Sequence, residues 1–190
     1  MPEITKSICP SSRKDWRAWL RKNHKKEKLI WLIHHKRHTG KHFLSHRETL
    51  EEAICFGWID TIVKSIDNDT FARCFIRRTE KSRWSDNTLS YARKMIQEKK
   101  IVTEGLKRYK EGLKKPSLDL GIPKNPEPQQ DLLKALQQNG KALEYFTHLA
   151  PSYKRYYIRW IERAKRPETR KKRIDLVVER CSVSKKPGLP

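Results

Sequence analysis

Acidic residues are scarce in this sequence. Twenty-two Asp and Glu stand against 44 Lys and Arg, leaving a formal charge of +22 over 190 residues. Long apolar runs are missing too. No stretch approaches the ~18 residues of a membrane-crossing helix. The opening MPEITKSICPSSRKDW has no apolar core of the kind a secretory leader carries. The expectation is a soluble, cytoplasmic protein. Cys9, Cys55, Cys74 and Cys181 are scattered with no CxxC spacing, which argues against structural zinc and a disulfide scaffold. Reduced thiols are expected. GxSxG, P-loop, GxGxxG and HExxH motifs are absent, as is a catalytic carboxylate pair. No catalytic residue, cofactor or metal is therefore assigned.

What is present can build a core. Six Trp, six Tyr and five Phe supply large apolar groups, and 36% hydrophobic against 35% charged residues is not a disordered composition. The charge comes in blocks. Residues 45–78 and 117–150 are near neutral, and the three stretches around them are basic.

Periodicity divides the chain. Trp16, Trp19 and Leu20 after Ser12 predict a short amphipathic helix, and KLIWLIHH predicts a strand. Ser45 and Glu48 have capping-box spacing ahead of Leu50, Ala53 and Ile54, with Gly57 as a stop. Alternation from Trp58 to Arg77, broken by DNDT, predicts a β-hairpin in which Asp60 accepts hydrogen bonds from backbone or from Arg77 across it. Ser85 caps a helix carrying Leu89, Ala92 and Ile96, and a second helix follows through Leu113. PSLDLGIPKNPEPQQ gathers four of the ten prolines and reads as a linker. Beyond it the pattern is helical. Tyr153, Tyr156, Tyr157, Trp160, Ile161 and Ala164 form one stripe, whose helical period marks it as core rather than a base-stacking surface. Pro167 opens a last helix that buries Ile174, Val177, Val178 and Cys181.

The fold class expected is α+β, with a small antiparallel sheet of about three strands packed with helices, then a helical C-terminal region. Residues 1–116 form the α+β part, 117–129 a Pro-rich linker, 130–182 the helical region and 183–190 a flexible tail.

Two ordered stretches resemble a known family. EEAICFGWIDTIVKSIDNDTF with RRTEKSRWSDNT is similar to the N-terminal part of the YdeI/OmpD-associated (OmdA) proteins. PQQDLLKALQQNGKALEYFTHLAPSYKRYYIRWIERAKRPETRKKRI is similar to their C-terminal helical region. The resemblance implies a small α+β domain plus a helical bundle, and a protective role against bacteriocins or antimicrobial peptides. It implies no catalytic mechanism.

Three groups of residues are candidates for a site. Around CFGWID two readings stay open. One is a structural corner. The other is a shallow pocket or surface formed by Cys55, Trp58, Asp60, Lys64, Trp84 and Asn87. As a nucleophile Cys55 lacks a dedicated base. Five of the seven histidines (His34, His35, His38, His42 and His46) fall in one stretch, but Lys36, Arg37 and Lys41 among them repel cations. A solvated basic loop is expected there. Arg155, Arg159, Arg163, Arg166, Arg170, Lys172 and Arg173 form the strongest charge signal. They read either as a solvated face or as a surface for phosphate on nucleic acid, lipid or lipopolysaccharide. The function expected is non-enzymatic protection or stress tolerance by binding a protein or peptide. The alternative is a basic nucleic-acid-binding module of low sequence specificity, making about seven phosphate contacts.

Overall fold

The structure is a computed structural model and describes residues 3–41 and 44–187. One compact unit ends at Leu118 and a second begins at Asp119. His42 and the last three residues of the expected tail lie outside the described residues.

In the first unit, side-chain caps start the helices where the spacing predicts. Ser12 accepts from the Asp15 amide at the head of α1 (Arg13–Asn23). Ser45 and Glu48 form a reciprocal capping box on α2 (His46–Cys55), and Ser85 and Thr88 form another on α3 (Asp86–Gln97). Each cap satisfies an amide that helix geometry leaves unpaired, at about 1 kcal/mol apiece. Gly57 stops α2 with φ +77°, a left-handed conformation that glycine adopts without steric cost. α4 (Thr103–Leu113) completes the helices of this unit.

The three expected strands are β2 (Leu29–His35), β3 (Trp58–Ser65) and β4 (Thr70–Arg77). Asp67 holds the β3–β4 turn, its Oδ1 accepting from the amides of Asp69 and Thr70. One correction concerns the sheet. A short strand β1 (Ser7–Ile8) pairs parallel with β2, so the order is β1-β2-β4-β3 and the sheet is mixed rather than antiparallel. Two residues have no periodicity to read. The alternation along β3 is also interrupted, by a register shift between Asp60 and Val63.

One face of the sheet carries Ile30, Leu32, Trp58 and Phe75 against Trp16 and Leu20 of α1, Ala53 and Cys55 of α2 and Met95 of α3. Trp31, Ala72 and Cys74 make a second cluster. Burying an aromatic side chain of this kind contributes roughly 2–3 kcal/mol.

The second unit is α5 (Gln130–Gln137), α6 (Gly140–His148), α7 (Pro151–Glu162) and α8 (Pro167–Ser182). Pro151 and Pro167 sit in first turns, where no amide hydrogen is needed. α8 buries Ile174, Val177 and Cys181, with Val178 packed beside them. The aromatic stripe on α7 is a second correction. The buried residues are Tyr157, Ile158 and Ile161, while Tyr156 is 41% exposed. Trp160 is half-buried and serves as a platform for Arg173, whose guanidinium lies 4.9 Å from the ring centroid.

Candidate binding sites

The CFGWID corner is built as a joint. Cys55 and Trp58 are fully buried in the cluster with Trp16 and Phe75, whereas Trp84 is buried with Leu50, Ile54, Leu89 and Ala92. The two indoles therefore wall no common pocket, which corrects the pocket reading. Periodicity shows which face is buried but not against which element. Asn87 is exposed on α3 and donates to the Tyr91 hydroxyl. Lys64 is half-buried on β3. Burial pushes the Cys55 thiol up to about 11 despite Arg17 nearby, so it stays protonated and unreactive at neutral pH.

Asp60 takes two side-chain partners, neither of them Arg77. Its Oδ2 accepts from His46 Nε2 at 2.8 Å and from Arg73 Nη1 at 2.9 Å. Arg77 instead donates to the Lys25 carbonyl at 2.8 Å. Arg73 and Arg77 flank Phe75, the register partner of Asp60, on the same face, so strand parity alone could not separate them. Burial opposes the Asp60 charge, but the His46 bond and the Arg73 charge outweigh it and hold the carboxyl below its ordinary range. His34 is buried beside them and stacked on Phe71 at 4.9 Å. Burial, then the charges of Arg73 and His46, pull it down to about 4, so it is neutral at pH 7. His38 pairs with Asp69. Among the described residues no three His, Cys, Asp or Glu side chains converge as a metal site would require.

The C-terminal arginines are largely used inside their own unit. Arg163 donates from Nε and Nη2 to Asp119 Oδ1 at 2.9 and 2.6 Å, and Arg159 Nη2 lies 3.0 Å from the same oxygen. Arg159 also donates to the Pro123 carbonyl, and Arg155 to Asn125 Oδ1. Arg170 bridges Asp131 and Glu162, and Arg173 donates to the Trp160 carbonyl. Of the seven basic residues singled out, only Arg166 and Lys172 are exposed with neither an ion pair nor a side-chain hydrogen bond among the described residues, and Lys165 and Lys171 beside them are exposed too. Helical spacing could not reveal this, because the acceptors of Arg155, Arg159 and Arg163 lie 30 to 44 residues away in sequence.

These arginines hold residues 119–125 against α7, and that placement shapes a cleft the sequence reading missed. Leu133, Leu136, Leu143, Phe146 and Ile158 line about 490 Å³, with Pro126, Pro128 and Pro151 completing the apolar wall. Lys154, Arg155, Glu127 and Asn125 supply polar groups. The volume suits a small ligand or a short peptide segment. The only hint in sequence was NPEP set directly before QQDLL, which reads as linker until the prolines are seen as a wall.

Residues 8–108, more than half the chain, match a domain of unknown function (DUF8412), and residues 125–182 match the family described as bacteriocin-protection, YdeI or OmpD-associated. The chain is a DUF8412 protein with an OmdA region. The OmdA match contains every residue lining the cleft. Of the two stretches that carry the resemblance, the C-terminal one is matched by OmdA, and the N-terminal one falls within the DUF8412 match. No curated protein and no solved structure matches the chain. Among the described residues of this DUF8412 protein, no helix is long and apolar enough to cross a membrane.

Proposed function

We propose that this OmdA protein is a non-enzymatic protective or stress-related protein that acts by binding, with the cleft of its OmdA region as the site. The observation that carries the reading is the apolar cleft lying wholly within the matched residues. Its partner is an apolar peptide or protein segment that is neutral or acidic. A charge of +22 repels a cationic peptide, and two of the three charged lining residues, Lys154 and Arg155, are basic. Protection therefore works through a cellular partner rather than by sequestering a cationic peptide.

Deleting the gene is expected to raise sensitivity to bacteriocins or antimicrobial peptides. The wild-type chain should restore tolerance. Leu143→Asn, which puts an amide into the half-buried cleft wall, should not, while its helical circular dichroism stays unchanged. Equal sensitivity of the deletion strain and its parent would sink this reading.

Nucleic acid is the second reading, supported by the exposed Lys165, Arg166, Lys171 and Lys172. With about four phosphate contacts, the slope of log K against log salt on duplex DNA is expected near −3.6, against about −6 for seven. Anisotropy titrations across a salt series measure it. A slope near −6 would mean that the internally paired arginines also reach DNA.

A further inference from the structure

A second cavity lies in the DUF8412 unit, away from the CFGWID side chains first singled out. About 510 Å³ is enclosed by His24 and Lys25 after α1, Arg77 and Arg78 at the end of β4, Thr79 and Glu80 beyond it, and Glu104 and Arg108 of α4. Four cations thus line it against two carboxylates. Glu104 is taken by Arg108, whose Nη1 also reaches Glu111 at 3.0 Å. Glu80 is exposed. Lys25, Arg77 and Arg78 have no carboxylate within ion-pair distance among the described residues.

Arg78 is the unusual member. It is only 3% exposed, and its Nε has no hydrogen-bond partner. Its guanidinium lies 3.7 Å from the Trp84 ring centroid, and Nη1 donates to the Arg83 carbonyl at 3.1 Å. Burial pulls it down to about 9, and distant Asp60 offsets this only in part. It still carries its charge at pH 7. A buried cation without a counter-charge costs several kcal/mol, and a ring face with one carbonyl recovers only part of that.

The surroundings are rigid. The Arg78 amide donates to the Gly57 carbonyl at 2.8 Å, and the Trp58 indole donates to the His24 carbonyl at 3.3 Å. His24 packs on Phe56 with ring centroids 5.1 Å apart. Gly57 lies so close to α4 that an added Cβ would stand 3.0 Å from Arg108 Cγ. Arg77, Arg78 and Arg108 are therefore held in place by the groups around them, which lowers the ordering cost of binding.

We propose that this cavity is a binding site for a small polyanion, a phosphorylated or polycarboxylate metabolite, with Arg78 at its base and Lys25 and Arg77 at its mouth. Guanidinium groups suit planar, bidentate oxyanions, and the volume exceeds what a bare phosphate fills. This inference does not depend on the cleft of the OmdA region.

Isothermal titration of the full chain with pyrophosphate and, separately, with citrate tests it. One anion is expected to bind saturably at one site, and the two arms distinguish phosphate from carboxylate ligands. Arg78→Gln should weaken binding at least tenfold and Lys25→Gln about threefold, while Lys172→Gln on α8 should leave it unchanged. Should Arg78→Gln fail to fold, the double variant Lys25→Gln with Arg77→Gln decides, with an expected loss of tenfold or more. The proposal is overturned by the absence of saturable heat with both anions. It is equally overturned by unchanged affinity in folded Arg78→Gln or in the double variant. An equal loss in Lys172→Gln, the mark of a diffuse charge field, also overturns it.

Discussion

Asp119→Ala is expected to lower the stability of this DUF8412 protein by about 2–3 kcal/mol. The side chain of Asp119 is 2% exposed and accepts from two arginines, Arg159 and Arg163. Removing one partner of a buried ion pair typically costs about 3–5 kcal/mol, because it leaves the other charge stranded. The value here falls below that range because Arg159 and Arg163 keep 20% and 37% of their side-chain surface in water and can rehydrate. The measurement is the midpoint of urea unfolding, with the slope checked for constancy. A double-mutant cycle with Arg163→Met should recover much of the loss, since both ends of the pair are then gone. A loss under about 0.5 kcal/mol, the size of an ordinary surface substitution, would show that the arginines are not tied down. They would then be available as the phosphate surface that their spacing suggests.

Gly105→Ala is the second large effect, and two principles oppose each other there. Inside a helix alanine is better than glycine by up to about 1 kcal/mol, less in the first turn where Gly105 stands, and it also restricts the unfolded chain. The close approach of α4 to the last turn of α2 decides the sign. An added Cβ would lie 2.1 Å from the Cys55 carbonyl oxygen and 2.8 Å from that of Ile54. Both are backbone atoms, and the Cys55 oxygen is further fixed by the Val102 amide at 3.0 Å. The helix must therefore move as a body. Overpacking of this kind costs about 1–3 kcal/mol and occasionally more, and contact with backbone puts this case at the upper end. A net loss of roughly 2–3 kcal/mol is expected from thermal or urea unfolding. Neutral or raised stability would mean that α4 does not sit on α2 in this way. Because α4 carries Glu104 and Arg108, anion binding in the cavity beside it should weaken in the same variant.

Local rules made much of the scaffold legible. The caps at Ser12, Ser45 and Ser85, the stop at Gly57, the β3–β4 hairpin and the buried face of α8 all show in residue patterns within one short stretch of chain. The misreadings involve partners distant in sequence. β1 joins the sheet through two residues that carry no pattern. Trp58 and Trp84 both read as wall material, yet they are buried in separate clusters. Arg155, Arg159 and Arg163 read as an exposed stripe because their acceptors lie in a segment that composition marks as linker. The polar cavity was harder still. It draws on the residues after α1, the end of β4 and the face of α4. The one local clue was the Arg77–Arg78 doublet, where a strand runs into a turn with no acidic neighbour on its hairpin partner except Asp60.

The hold of Arg159 and Arg163 on Asp119 also bears on where this chain can be cut. A fragment begun at residue 125, where the OmdA similarity starts, would discard the carboxylate that both arginines share and the Pro123 carbonyl that Arg159 uses. It would keep the cleft's lining residues but lose the clasp that seats their proline wall. The boundary of the family match and that of the compact unit differ here, and the compact unit begins at Asp119.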